Sequence, residues 1–281
     1  MTRICFHSRS ILAAAAAACL ALGGAASAQA QDGGWYLGLN MPLMFIDDTD
    51  STTRGSFSHG QGMVEYEATV TTEHDTGFKF GGMIGRHLGS GLRVEGEVFM
   101  ARAEVSKLTH GSITVPALSF TLPEELPIPV SGTAEQLGAM VNLWYDFDAG
   151  DTWTPYIGGG LGFVRVDQGG LRYDTGAVAE AVANALIQAQ VPPGTPPAMR
   201  PGPVELPEGT VPSPSATDTA FAYQIGGGIG YALSDSTTLQ IGYRLQMVNG
   251  LSYSGSNDMA TVSSNTDLRI HFLEIGIRYR F

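Results

Sequence analysis

Cysteine is almost missing from this chain: its 281 residues include two, Cys5 and Cys19, both within the first thirty. Everything past residue 30 therefore lacks disulfides and thiolate metal sites. Positive charge is also scarce, with 15 Lys+Arg against 27 Asp+Glu and a formal net charge of -12. That balance argues against the basic footprint of a nucleic-acid binder, so no nucleic acid is expected as a partner. Long apolar runs are missing beyond Leu22, and a spanning helix needs about 20 such residues. If this chain enters a membrane it does so as a closed barrel, the one non-helical structure that satisfies its backbone in lipid.

The first thirty residues read as a secretory signal peptide. Arg3 and Arg9 precede an apolar run at 11–22, and Ala28-Gln29-Ala30 gives the small-residue cleavage pattern. Cys19 does not make a lipoprotein signal, because Ala16-Ala17-Ala18 lacks the usual leucine. Removing residues 1–30 takes Lys+Arg from 15 to 13 and the net charge to 13 - 27 = -14. Residues 31–281 are the expected exported domain.

What the rest of the chain has is alternation. From Leu273 every odd position is apolar (Leu273, Ile275, Ile277, Tyr279, Phe281), while Glu274, Gly276, Arg278 and Arg280 fill the even ones. A strand sends successive side chains to opposite faces, so one face is greasy and the other charged. Similar segments lie at 35–45, 77–88, 92–105, 135–147, 154–166, 219–233 and 237–249, and the last runs 267–281. Short connections (89–91, 148–153, 234–236) alternate with long ones (46–76, 106–134, 167–218, 250–266). That is the pattern of periplasmic turns and extracellular loops. A soluble sandwich has no reason to sort its loops by length onto one end. The predicted fold class is all-β: an eight-stranded antiparallel transmembrane up-and-down β-barrel with short periplasmic turns and four long extracellular loops.

The closing Tyr279-Arg280-Phe281 and the run Pro155-Tyr156-Ile157-Gly158-Gly159-Gly160-Leu161-Gly162-Phe163 resemble bacterial outer-membrane β-barrels of the OmpA-like, porin-family surface-antigen type. The resemblance implies a cell outer-membrane location, with that membrane's lipids and the barrel-assembly machinery as partners. It implies that Tyr279 and Phe281 form the assembly signal. It also implies a structural or surface-antigen role, with weak porin-like activity, rather than an enzyme. The glycine run recurs at Ile225 to Tyr231, but neither copy opens a helix, which excludes a nucleotide-binding fingerprint; no cofactor is expected. Gly158, Gly160, Gly162, Gly226, Gly228 and Gly230 share the lumen parity, where they make room for large side chains from the opposite wall.

Parity also assigns the charges. Facing lipid costs about 2–4 kcal/mol per Arg or Lys at the midplane. A lumen network of Lys79, Arg93, Glu95, Glu97, Arg244, Glu274, Arg278 and Arg280 is therefore expected, with Arg244 and Glu274 level and paired. Eight strands enclose a space that side chains just fill. The network is then polar filling or, on the competing reading, a narrow gate whose pairs rearrange.

The longest loop divides into an alanine-rich helical segment at 176–190, with Val178, Val182, Leu186 and Ile187 on one face, and a proline-rich segment at 191–214. Long exposed loops suit contact with a host or extracellular ligand. His59, His74, His87, His110 and His271 lack metal-ligand spacing, and Asp47-Asp48-Thr49-Asp50 lacks the glycine and final Glu of a calcium loop; no metal is expected. One catalytic reading is left: a membrane-embedded lipid hydrolase pairing His271 with Ser252, Ser254, Ser263 or Ser264.

Overall fold

A computed structural model describes residues 34–59, 62–115, 120–122, 126–128, 130–150, 152–168, 172–173, 217–256, 258 and 260–281. The expected signal peptide at 1–30, the expected helical segment at 176–190 and the proline-rich 191–214 lie outside the described residues.

Eight wall positions close into a ring. The first is made of β1 (Trp35–Asn40), β2 (Leu43–Ile46) and β3 (Thr49–His59), and the second of β4 (Gly62–His74) and β5 (Gly77–Gly89). The third is β6 (Leu92–Val115), on which the short β7 (Phe120–Leu122) and β8 (Leu126–Ile128) pair. After β9 (Val130–Ser131) come β10 (Thr133–Asp146) and β11 (Trp153–Asp167); β12 (Arg172–Tyr173) pairs back on β9. The wall is completed by β13 (Thr217–Ala232), β14 (Thr237–Ser256) and β15 (Ala260–Arg280). Every pairing is antiparallel, and β15 returns to β1, β2 and β3 to close the ring. Closure leaves no open edge at that level, as a wall in lipid requires.

The first position breaks at Met41-Pro42 because proline has no N–H to give the ladder. Its carbonyl still accepts from Lys79 N at 3.0 Å, so the wall stays sealed. Between β5 and β6, Ser90 and Gly91 both have positive φ (51° and 79°), as a two-residue type I′ hairpin needs.

The outer face is apolar along the whole ring: Leu273 and Ile275 are 51% exposed and Ile277 44%. Trp35, Tyr145, Phe147, Trp153, Tyr231, Tyr279 and Phe281 form an exposed aromatic girdle at the end with short turns, and Phe45, Phe78 and Phe163 lie toward the other end. An apolar band with aromatic rims is a lipid-facing surface. Inside, the lumen has two tiers. Charged and amide side chains fill the half nearer the short turns. Met44, Phe99, Met140, Val164, Val166, Ala222, Val248, Ile270 and Phe272 form a buried apolar cluster in the other half.

Three of the connections read as loops from sequence continue the sheet. Most of 46–76 is the β3–β4 hairpin, β6 runs on to Val115, and β14 and β15 pair as far as Ser256 and Thr261. The sequence concealed this because strands outside lipid no longer need an apolar outer face. The outward residues there include Arg54, Glu65, Glu67, Ser252, Ser254, Thr261, Ser263 and Asn265, all polar. A bulge at Asn249-Gly250 bends β14 as it leaves the ring; Gly250 takes φ 79° and donates its N–H to Asp267 Oδ1 at 2.7 Å.

An arginine on the lipid-facing wall separates the two environments. Ile275→Arg should lower folding free energy by about 2–4 kcal/mol, whereas Ser263→Arg, on the polar extension, should change it by less than about 0.5 kcal/mol. Urea titration of folding into vesicles measures both.

Candidate functional site

Alternation on every wall strand sends one parity inward, so the plug draws on the whole ring. From β6 come Arg93, Glu95 and Glu97; from β5, Lys79; from β14, Arg244; from β15, Glu274 and Arg278. All are 0–8% exposed. Glu97 sits at the centre. It forms an ion pair with Lys79 Nζ at 2.6 Å and accepts from Arg244 Nη1, from Asn40 Nδ2 at 3.3 Å and from Asn142 Nδ2 at 3.2 Å. Arg244 is shared, its Nη2 reaching Glu274 Oε2 at 3.0 Å. The expected Arg244–Glu274 pair therefore forms, but diagonally, since Arg244 stands opposite Phe272 and Glu274 opposite Gly242. Long side chains span such diagonals.

A second centre lies nearer the short turns. Arg93 donates from Nε to both Asp146 oxygens at 2.9 and 3.0 Å, and from Nη1 to Tyr36 Oη at 3.1 Å and Glu95 Oε2 at 3.3 Å. Glu95 also accepts from Tyr36 Oη at 2.9 Å, Trp144 Nε1 at 3.2 Å and Asn142 Nδ2 at 3.1 Å. The Trp144 ring lies between Arg93 and Arg244, 5.4 and 5.1 Å from their guanidinium carbons. Lys79 meets the faces of Phe99 and Phe272 at 4.2 and 4.7 Å, which stabilises a cation where polar and apolar tiers meet. Lys79, Arg93, Arg244 and Arg278 balance Glu95, Glu97, Glu274 and Asp146, four against four.

Arg280 does not join them. It is exposed at the turn end, donating from Nη2 to the Asp235 carbonyl at 2.7 Å. Its parity was inward, but at the end of the last strand its side chain passes beyond the lumen into water. Tyr279 and Phe281 lie in the outward aromatic girdle. The glycines also serve differently from expectation. Trp144, Asn142 and Met140 stand directly opposite Gly158, Gly160 and Gly162 on the adjacent strand, and a Cβ on Gly158 would lie 2.7 Å from Trp144 Cε3. The space is taken by neighbours on β10, not by residues across the barrel, because cross-strand pairs are the closest contacts in a sheet.

Sequence reading missed the neutral members: Tyr36, Asn40, Asn142, Trp144, Gln224 and Gln246. Parity alone places them inside, and so does it Asp146. Gln246 Nε2 donates to Gln224 Oε1 at 3.2 Å and Gln224 Nε2 to Asn142 Oδ1 at 2.6 Å, extending the network across three strands. One internal gap, lined by residues including Asn40, Arg93, Trp144 and Glu274, admits the centre of about one water (10 Å³).

The other candidates are dispersed. His271 meets no serine: its Nε2 is 2.9 Å from Asp47 Oδ1 and its Nδ1 bonds Tyr243 Oη. Ser252, Ser263 and Ser264 are bonded to Asn265, the Arg54 carbonyl and Thr53. Asp47 and Asp50 part company, Asp50 accepting from Thr71. The side chains of His59 and His110 lie outside the described residues. His74, on the extension, is held by burial at a pKa of about 4, which nearby Asp48 only partly opposes.

A closed antiparallel ring with an apolar outer belt and a polar lumen is a transmembrane β-barrel. The chain belongs to the outer membrane protein beta-barrel domain family, whose profile matches residues 14–281. It is an outer-membrane protein. Among curated proteins none matches. Similar solved structures include Neisserial surface protein A (16% identity, 89% of this chain and 100% of that one, TM-score 0.40). OprG from Pseudomonas aeruginosa is 14% identical over 91% and 99%, with a TM-score of 0.44. The outer membrane protein AlkL is 18% identical over 92% and 94%, with a TM-score of 0.42.

Glu97→Gln leaves Lys79 and Arg244 short of a counter-charge. It should destabilise the barrel by about 3–5 kcal/mol, read from the heat needed to shift the band of an unboiled sample on a denaturing gel. Glu97→Gln combined with Lys79→Met should recover part of that loss.

The extension should respond to acid. A folded pKa of about 4 against 6.5 means that opening takes up a proton. Packing around His74 is at full strength above pH 6.5 and weakens as pH falls toward 4. Amide NMR signals of the β3–β4 hairpin should broaden or shift over that window, and His74→Asn should remove the dependence.

Proposed function

We propose that this protein is a non-enzymatic outer-membrane anchor: a barrel sealed by its own side chains that carries a β-structured platform for contact with a host or extracellular ligand. Residues 1–30 are its export signal, and assembly into the membrane uses the Tyr279–Phe281 end. The observation that carries this reading is the ion pairing of the buried lumen charges among the described residues, beneath a sheet that continues outward with a polar face. A barrel organised for transport would keep a wetted path. Here the strand length beyond the membrane is spent on surface.

One arrangement favours a second reading, a narrow gated channel with porin-like leakage. Arg244 is shared between Glu97 and Glu274, so its release from one carboxylate leaves it held by the other. Planar-bilayer recording separates the two. On the anchor reading the wild type is silent, and Arg244→Ala stays silent or fails to fold; discrete wild-type openings abolished by Arg244→Ala would establish the channel. An epitope inserted between His59 and Gly62 should be reached by antibody on intact cells, placing the platform outside.

A further inference from the structure

Beside the exposed Arg102–Glu135 pair of β6 and β10, the lipid-facing wall carries a longer polar device that the plug and the platform leave unused. On β15 the outward column runs Arg269, His271, Leu273, Ile275 from the platform end downward, the parity of the lipid-exposed Leu273 and Ile275. Register places Asp47 and Phe45 on one flank and Tyr243 on the other: Phe45 stands opposite His271, and Tyr243 opposite Leu273. Asp47 N donates to the Arg269 carbonyl at 3.0 Å, fixing the carboxylate beside the column. Its Oδ1 meets His271 Nε2 at 2.9 Å, and His271 Nδ1 bonds Tyr243 Oη, a continuous carboxylate–imidazole–phenol chain. Arg269 reaches Asp47 Oδ2 only at 3.8 Å and is 59% exposed, so most of its donors point outward.

A polar chain on a face turned to hydrocarbon is expensive unless its neighbour in the membrane is polar at the same depth. The column matches one molecule's order of groups. A guanidinium stands at the top, a hydroxyl–imidazole pair one to two rows deeper at about 7 Å per pair of residues, and bare aliphatic side chains below. A phosphorylated membrane lipid has the same sequence: phosphate, then ester, amide and hydroxyl oxygens, then acyl chains. Guanidinium and phosphate form the strong, charge-assisted, two-point contact.

We propose that this column is a docking site for one phosphorylated lipid of the outer leaflet. Its phosphate rests on Arg269, its ester or hydroxyl oxygens at Tyr243 and His271, and its chains along Leu273 and Ile275. Asp47 is a positioning residue that orients His271. This inference rests on the lipid-facing wall and is independent of whether the lumen conducts or what the platform contacts.

The test uses the purified full chain in detergent, with phosphorylated lipid A as probe and native mass spectrometry as readout. EDTA is present so that metal bridging through Asp47, Asp48 or Asp267 does not contribute. The wild type should retain one lipid A. Arg269→Ala should retain about tenfold less and Arg269→Lys should recover part; Tyr243→Phe should fall between. Arg165→Ala, an exposed outward arginine on β11, should retain as much as wild type. Heat-shifted gel bands verify that each variant is folded. Equal retention by Arg269→Ala and wild type overturns the site, as does equal retention of dephosphorylated lipid A. Full displacement by millimolar inorganic phosphate would also overturn it, since the site would then take the free anion rather than the lipid.

Discussion

Charge neutrality inside a closed ring is the constraint on which this barrel depends. Four cations and four carboxylates are drawn into a lumen that side chains largely fill. A buried charge is tolerable only when a partner and further hydrogen bonds replace its lost hydration. Glu97 shows how completely that is met, with Lys79, Arg244, Asn40 and Asn142 around one carboxylate. Those four come from four different strands, so the network exists only when their registers are right. A slip of one residue would turn every inward group to lipid. The plug is therefore a register lock as much as a filling, and its cost is offset by the uniqueness it imposes on a ring whose ladder hydrogen bonds would accept other alignments.

Shape is solved by pairing bulk with emptiness across adjacent strands. Trp144 over Gly158, Tyr36 over Gly85 and Phe99 over Gly138 are direct cross-strand partners. Each puts a large inward ring where the neighbouring strand has no side chain. Rings laid flat along the wall narrow the lumen without clashing at its axis, leaving the centre to the charged groups. Above them the lumen turns apolar around Phe99, Ile270 and Phe272. Lys79 stands at the boundary, with a carboxylate on one side and two aromatic faces on the other.

Much of this was legible in the sequence, because lipid imposes a sharp rule. Where Leu273, Ile275 and Ile277 alternate with Glu274 and Arg278, period and parity settle both the strand and its inner face. The eight wall positions and seven of the eight expected lumen charges follow from that rule. Legibility ended where lipid did. In β3, β4 and the upper parts of β14 and β15 both solvents are aqueous or proteinaceous, the outer face becomes Ser, Thr and Glu, and the segments read as loops. Arg280 failed for the same reason at the opposite end: parity says which way a residue points, not whether the barrel is still there. Partners chosen by diagonal reach, such as Arg244 with Glu274, or by the meeting of β2 with β15, such as Asp47 with His271, need the register, which a single sequence does not contain.

A lumen filled by paired charges changes where the protein's chemistry is to be sought. A pore does its work on the inner face of its wall, and its outer face is passive. Here each buried lumen charge has an ion-pair partner on the inner face, so on the anchor reading exchange with the surroundings falls to the outside. Besides the Arg102–Glu135 pair, two outer surfaces differ from plain membrane wall: the polar platform of β3, β4, β14 and β15, and the Asp47–His271–Tyr243 chain beneath Arg269. They share β15, whose upper half belongs to the platform and whose next residues down form the polar column. A molecule held on that column at the headgroup level would stand directly under the platform. The composition of the outer leaflet then becomes a physical neighbour of the recognition surface, through one strand and without any movement of the plug.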